Sequence, residues 1–115
     1  MFKFVTIYRK VDDEEALEAF FARTHLPLAE QLPGLIKSEV TRVAGKPGGE
    51  SRFHLLYALT FESQIAFRRA VASEPGLLLI QALKPWDEAG IITWFFGTGY
   101  EEMAPDEVRF GPGEA

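Results

Sequence analysis

Phe2-Lys3-Phe4-Val5-Thr6-Ile7-Tyr8-Arg9 is the stretch whose reading decides the fold. Aromatic and β-branched residues alternate along it, which is the pattern of an extended strand. A period of two puts Phe4, Thr6 and Tyr8 on one face and Val5 and Ile7 on the other. Both faces carry large side chains, so the spacing predicts a strand inside a sheet that is covered on both sides.

Working outward, Asp12-Asp13 is a helix N-cap signal, and Glu14 and Glu15 place negative charge in the positive first turn. Ala16, Leu17, Phe20, Phe21, Thr24 and Leu28 recur at helical spacing as an apolar stripe. Pro27 has no backbone N–H and disfavours the α conformation at Leu26. The first helix is therefore expected to end or kink near Thr24–Leu26, with a short helical turn through about Leu32 and a stop at Pro33-Gly34.

Residues 35–44 alternate as a second strand, and the breaker-rich segment 45–51 joins it as a hairpin to a third, 52–61. Phe53, Leu55, Tyr57, Leu59 and Phe61 form a strongly apolar face of the third strand. Arg52, His54, Leu56, Ala58 and Thr60 form a smaller, partly polar one. Ser63 is the expected cap of a second helix whose inward face is Ile65, Ala66, Ala70 and Val71. Ser73-Glu74-Pro75-Gly76 is expected to break that helix. Leu77–Leu83 then reads as another short helix or an irregular apolar segment, 84–90 as a connection, and Ile91–Phe96 as a fourth strand.

The order β-α-β-β-α-β is the ferredoxin-like arrangement, an α+β fold with helices on one face of an antiparallel sheet. In a monomer the other face should be polar, yet every strand presents apolar groups on both sides. A patch of that size exceeds what monomers expose. The expected solution is a homodimer whose two sheets pack face to face into a barrel. Residues 1–97 are expected to form this barrel domain, and 98–115, rich in Glu, Pro and Gly, an extended C-terminal tail.

Composition sets the outer bounds. A chain of 115 residues suits one domain. It is 47% hydrophobic with ten Phe, two Trp and three Tyr, an aromatic load heavy enough to imply a pocket or subunit interface as well as a core. The formal net charge is -5 and no basic run occurs, which argues against nucleic acid as a partner. Absence of cysteine excludes disulfides, thiolate nucleophiles and cysteine metal sites. No apolar run approaches the roughly 18 residues that span a bilayer. Lys3 and Arg9 interrupt the only N-terminal apolar segment, so a signal peptide is not expected and the protein is expected to be cytoplasmic.

His25 is the leading candidate for chemistry. It titrates near neutrality, and it lies where Pro27 disturbs the helical ladder, which can aim the ring into a cavity. It can equally cap a loose carbonyl and serve structure alone. Tyr8 can hydrogen-bond a substrate oxygen or be an ordinary core tyrosine, and it shares its strand face with Phe4 and Thr6. His54 can be a second polar group of the same cavity or a residue at the edge of the sheet. Arg9 and Arg52 can meet a carboxylate ligand or the chain's own acids. Trp94 and Phe96 share one face of the fourth strand, with Phe95 on the other, and suit an apolar pocket or a dimer interface. Two isolated histidines make no metal site, no glycine-rich loop opens a helix, and no Ser-His-Asp set can be assembled.

Three features resemble the EthD family of the dimeric α+β barrel superfamily. They are the strand end Ile7-Tyr8-Arg9-Lys10, the segment His25-Leu26-Pro27-Leu28, and Leu32-Pro33-Gly34-Leu35. The resemblance implies a dimer with a cavity beside each helical layer. Related barrels look like cofactor-free monooxygenases, small-ring isomerases, polyketide cyclases and haem-binding or haem-degrading proteins. The expectation is a homodimer that binds or converts an apolar or aromatic small molecule without a built-in cofactor. His25 would move the proton and Tyr8 would orient a substrate oxygen. The alternatives are a non-catalytic ligand-binding or accessory dimer with His25 structural, and a haem-binding protein.

Overall fold

The computed structural model describes residues 1–104. Four strands, β1 (Phe2–Arg9), β2 (Lys37–Arg42), β3 (Phe53–Phe61) and β4 (Ile92–Thr98), form one antiparallel sheet in the order β2-β3-β1-β4. The first strand is thus central. Its even positions meet the odd positions of β3 and the even positions of β4, as in Phe4 opposite Leu59 and Phe96 and Thr6 opposite Tyr57 and Trp94. This set faces the helices and supplies the core with Phe4, Tyr8, Leu55, Tyr57, Leu59, Phe61 and Ile92.

One irregularity changes a face. Tyr8 pairs with Leu55 but Arg9 pairs with Phe53, so His54 is an extra residue in β3, a β-bulge. The expected apolar face of the third strand therefore loses Phe53, which lies with Ile7, Arg9, Arg52 and Thr93. The bulge instead turns His54 towards the helical layer, where its Nε2 lies 2.6 Å from Glu18 Oε2.

Helix α1 (Glu14–Phe20) is capped by Asp13, whose carboxylate accepts from the Ala16 N–H at 3.0 Å. Of the two outcomes expected near Thr24–Leu26, an end or a kink followed by a short helical turn, it takes the second. The chain passes through one π-helical turn, Phe21–His25, directly into α2 (Leu26–Glu30). The Leu26 N–H bonds the Phe21 carbonyl, five residues back. The physical reason is Pro27, which can neither donate to the carbonyl four residues back nor clear it sterically. Widening the turn accommodates the ring without breaking the rod. Gly34, at φ 79, then takes the positive dihedral that the turn into β2 needs.

The second half departs further from expectation. Helix α3 (Gln64–Ala72) is capped by Ser63 as read, but its buried side chains are Phe67 and Ala70. Ile65 is exposed. Phe67 faces inward because its ring meets Phe2, Phe4 and Phe61 at 5.3–5.5 Å. Ser73-Glu74-Pro75-Gly76 ends the helix as expected, at a tight corner, and the expected helix over Leu77–Leu83 follows as part of a longer one. Ser73 accepts from the Gly76 N–H and donates to the Ala70 carbonyl, so one hydroxyl ends α3 and starts α4 (Glu74–Glu88). Pro75 stands at the first turn, where its missing N–H costs nothing.

The expected connection 84–90 is the last turn of α4. Pro85 sits inside it on the solvent side, while Trp86 turns inward to stack on Phe20 at 4.6 Å. Gly90, at φ 75, closes the helix. Strand β4 runs on to Thr98, beyond the expected boundary at residue 97. Of the expected tail, residues 105–115 lie outside the described residues. Among the described residues, no helix is long and apolar enough to cross a membrane.

Candidate functional site

His25 and Tyr8, picked separately from the sequence, come together. His25 sits at the end of the π-helical turn, Tyr8 near the end of β1, and both are fully buried. The Tyr8 hydroxyl lies 2.5 Å from His25 Nδ1. The π-helical turn aims the imidazole at the sheet, and the rings of Tyr8, Phe21 and Tyr57 surround it with centroids at 5.0–5.7 Å.

The tautomer follows from counting partners. Among the described residues Tyr8 has no other acceptor, so its hydroxyl proton points at Nδ1, and the imidazole proton then sits on Nε2. The opposite assignment would strand two groups instead of one. Among the described residues Nε2 has no hydrogen-bond partner. Burial drives the His25 pKa down to about 3, so the ring is neutral across the physiological range. The Tyr8 pKa is raised, by burial first and by Tyr57 second, so the hydroxyl keeps its proton. What the dyad presents is a neutral imidazole with one free N–H, held in orientation by a phenol.

Phe4, Trp94 and Phe96 form a second group. Together with Phe67, Val71, Ile80 and Phe95 they line an apolar cleft of about 330 Å³ between β4 and the α3–α4 pair. The volume is at the lower end for small-molecule sites. Thr6 is the link between the groups. It is buried on the same strand face, midway between Phe4 and Tyr8 and opposite Trp94 and Tyr57. His25 is not part of the cleft wall.

His54 is not brought to this dyad. Its bulge delivers it to Glu18 of α1, which also takes a bidentate pair from Arg42 at 2.8 and 3.2 Å. The Arg42 and His54 hydrogen bonds hold the Glu18 carboxyl down to about 2. Arg9 and Arg52 lie on the opposite sheet face, with the Arg52 guanidinium 5.0 Å from the Phe53 ring centre. Among the described residues, no group of three or more His, Cys, Asp or Glu side chains could hold a metal ion.

Tyr57 is the residue that the sequence reading left out. It is fully buried beside His25, and its hydroxyl has no partner among the described residues. The signal was present, because the only phenol on the apolar face of the third strand stands opposite Thr6.

A four-stranded antiparallel sheet with its helices on one face is the ferredoxin-like α+β fold, and solved structures agree. No family model matches the chain, and no curated protein does. The chain is similar to an EthD family protein from Bacillus halodurans, with a TM-score of 0.78 and 28% identity over 90% of this chain and 99% of that one. This bears out the EthD resemblance read from His25-Leu26-Pro27-Leu28 and its neighbours. The fold is also that of SnoaB, a cofactor-independent oxygenase from Streptomyces nogalater (TM-score 0.61, 22% identity, 91% of this chain and 97% of that one). A hydroxynitrile lyase from Passiflora edulis shares it too (TM-score 0.66, 17% identity, 90% and 96%).

Proposed function

We propose that this EthD-like protein binds or converts an apolar or aromatic small molecule on the helix-covered face of its sheet, with His25 as the group that exchanges a proton with it. One observation carries the reading. A hydrogen-bonded Tyr8–His25 pair with a free Nε2 is buried in an otherwise apolar core, on the strand face that also lines an aromatic cleft. Buried polar groups are costly unless they are satisfied or used. Two proteins of the same fold are named as an oxygenase that needs no cofactor and as a lyase, which fits chemistry done by side chains alone. The reading gives Tyr8 an indirect role. The Tyr8 hydroxyl is spent on His25, so Tyr8 acts as a positioning residue rather than as a direct contact to substrate oxygen.

A second reading has its own observation. The dyad is sealed from the cleft, which suits a binding or accessory protein in which His25 is structural. Thermal-shift titration with two-ring aromatic compounds separates the two. A ligand at a hundred times its Kd should stabilise the protein by about 2.7 kcal/mol. Trp94→Ala should remove that shift. His25→Gln should keep binding but lose turnover if His25 is catalytic, and should change only stability if it is not. Failure of every ring compound to shift the wild type would sink the ligand reading.

The same proposal includes a homodimer. The sheet face away from the helices carries Val5, Ile7, Leu56, Ala58 and Phe95 at its centre, with Lys3, Lys37, Glu39 and Thr41 around them. Phe95 is 49% exposed there. An apolar centre with a charged rim is the anatomy of an interface, and a second copy is the partner that matches it on both counts. Light scattering at micromolar concentration should give twice 12.9 kDa. Phe95→Glu should return the monomer mass. A wild-type monomer at that concentration rejects the dimer.

A further inference from the structure

We infer that the two copies of the proposed dimer pack with their strands antiparallel, so that Tyr100, Glu101 and Glu102 of each copy meet the pocket that holds Arg9 and Arg52 of the other. The inference deepens the homodimer reading above and rests on it.

The two ends of the outer sheet face carry different groups. At one end Ile7, Arg9, Arg52, Phe53 and Thr93 line a pocket of about 380 Å³. Among the described residues neither arginine has an acidic partner, although the chain carries a formal net charge of -5. At the other end Met1, Lys3, Lys37 and Glu101 line a second pocket, where Lys37 is already paired with Glu39 at 3.9 Å. Two hydrogen bonds between Met1 and Gly99, at 2.8 and 2.9 Å, fix the point at which the chain leaves β4. Beyond it Tyr100 and Met103 are each 83% exposed. Glu101 and Glu102 are exposed as well, and among the described residues neither makes an ion pair. An exposed aromatic ring beside two unpaired carboxylates matches a pocket with one aromatic wall and two unpaired guanidiniums. The Arg52 guanidinium lies over the Phe53 ring at 5.0 Å, which leaves its edge donors open to a carboxylate.

Symmetry decides which ends meet. Face-to-face copies related by a twofold axis along the strands would set Arg9 and Arg52 against themselves. Like charges juxtaposed across an interface are costly. An axis across the strands reverses one copy and brings its Gly99 end over the arginine end of the other. Lys3 and Arg9 stand at opposite ends of β1, about 20 Å apart along the strand. Val5 and its partner Ala58 lie between those ends, so the apolar centre and both charged contacts close together.

The test pairs two charge reversals, Arg9→Glu/Arg52→Glu and Glu101→Arg/Glu102→Arg, in sedimentation equilibrium. All four side chains are exposed, so both variants should fold with the wild-type circular dichroism spectrum. Each variant alone loses four rim ion pairs of the dimer, and its dimer Kd should rise roughly 30-fold. An equimolar mixture of the two should recover the wild-type Kd as a heterodimer, because both contacts reform with their charges exchanged. A mixture no tighter than the separate variants overturns the contact. So does a heterodimer of Arg9→Glu/Arg52→Glu with wild type that is tighter than the wild-type dimer, since arginine end would then face arginine end. An unchanged Kd in both variants overturns the contact and leaves the dimer standing. A wild-type monomer at micromolar concentration overturns the two together.

Discussion

Gly76→Ala is expected to cost about 3 kcal/mol of stability, at the upper end of what overpacking by one methyl does. Gly76 lies in the first turn of α4, pressed against the last turn of α3. A Cβ there would fall well inside contact distance of the Ala70 carbonyl oxygen and 2.5 Å from the Val71 Cα. Both obstacles are backbone, so no side chain can swing aside. Relief requires separating the two helices, and Ser73 holds them together through its bonds to Ala70 and Gly76. Urea unfolding of the variant measures the loss. Gly97→Ala in β4 is the control, because a Cβ there has no neighbour within 4 Å among the described residues. It should change stability by less than about 0.5 kcal/mol. Similar small losses at both positions would show that the α3–α4 corner yields.

Acid should weaken the fold well before its carboxylates are affected. The His25 pKa falls from an ordinary 6.5 to about 3 on folding, because burial penalises the imidazolium. Between those values the unfolded chain binds a proton that the folded chain refuses, so stability falls as pH falls. The contribution is whole above pH 6.5 and is lost progressively towards about 3. The slope is about 1.4 kcal/mol per pH unit, or roughly 2.7 kcal/mol between pH 6.5 and 4.5. Glu18 moves in the same sense, but from 4.5 to about 2, so its share is intact above pH 4.5. The window from 6.5 to 4.5 therefore isolates His25. Urea midpoints at three pH values across it should fall steeply in wild type and much less in His25→Gln. Parallel lines for the two proteins would refute a buried neutral histidine.

The sheet was readable because its signals are local. Alternation in Phe2–Arg9 sets both strand and facing, and the observed faces match it residue by residue. The third strand was misread at one place, Phe53, because a bulge is a property of pairing with β1 and leaves no mark in the alternation of β3 alone. The helices were harder. Pro27, Pro75 and Pro85 all read as interruptions; α3 does end just before Pro75, but neither Pro27 nor Pro85 stops the helical run it sits in. One is absorbed by a π-helical turn, one stands where no N–H is needed, and one faces solvent while Trp86 beside it is anchored. Each rescue depends on tertiary neighbours that a proline in isolation does not announce. The candidate site divides the same way. His25 and Tyr8 were found by chemistry, whereas their meeting at 2.5 Å depends on how far the widened turn rotates the ring. His54 was placed with them on residue type alone, and Glu18 claims it instead.

The order of the strands has a consequence for how the chain becomes a protein. Phe2 pairs with Phe61 on one side and with Thr98 on the other, and the Met1 amino group bonds the Gly99 carbonyl at 2.9 Å. The first strand of the sheet is therefore the last to find both its neighbours. Only the β2–β3 hairpin joins partners close in sequence, and the central strand must close two long loops. During synthesis its aromatic faces wait without partners until nearly the whole domain has emerged. A nascent chain of this design leaves its central strand open to misassociation until the fourth strand arrives.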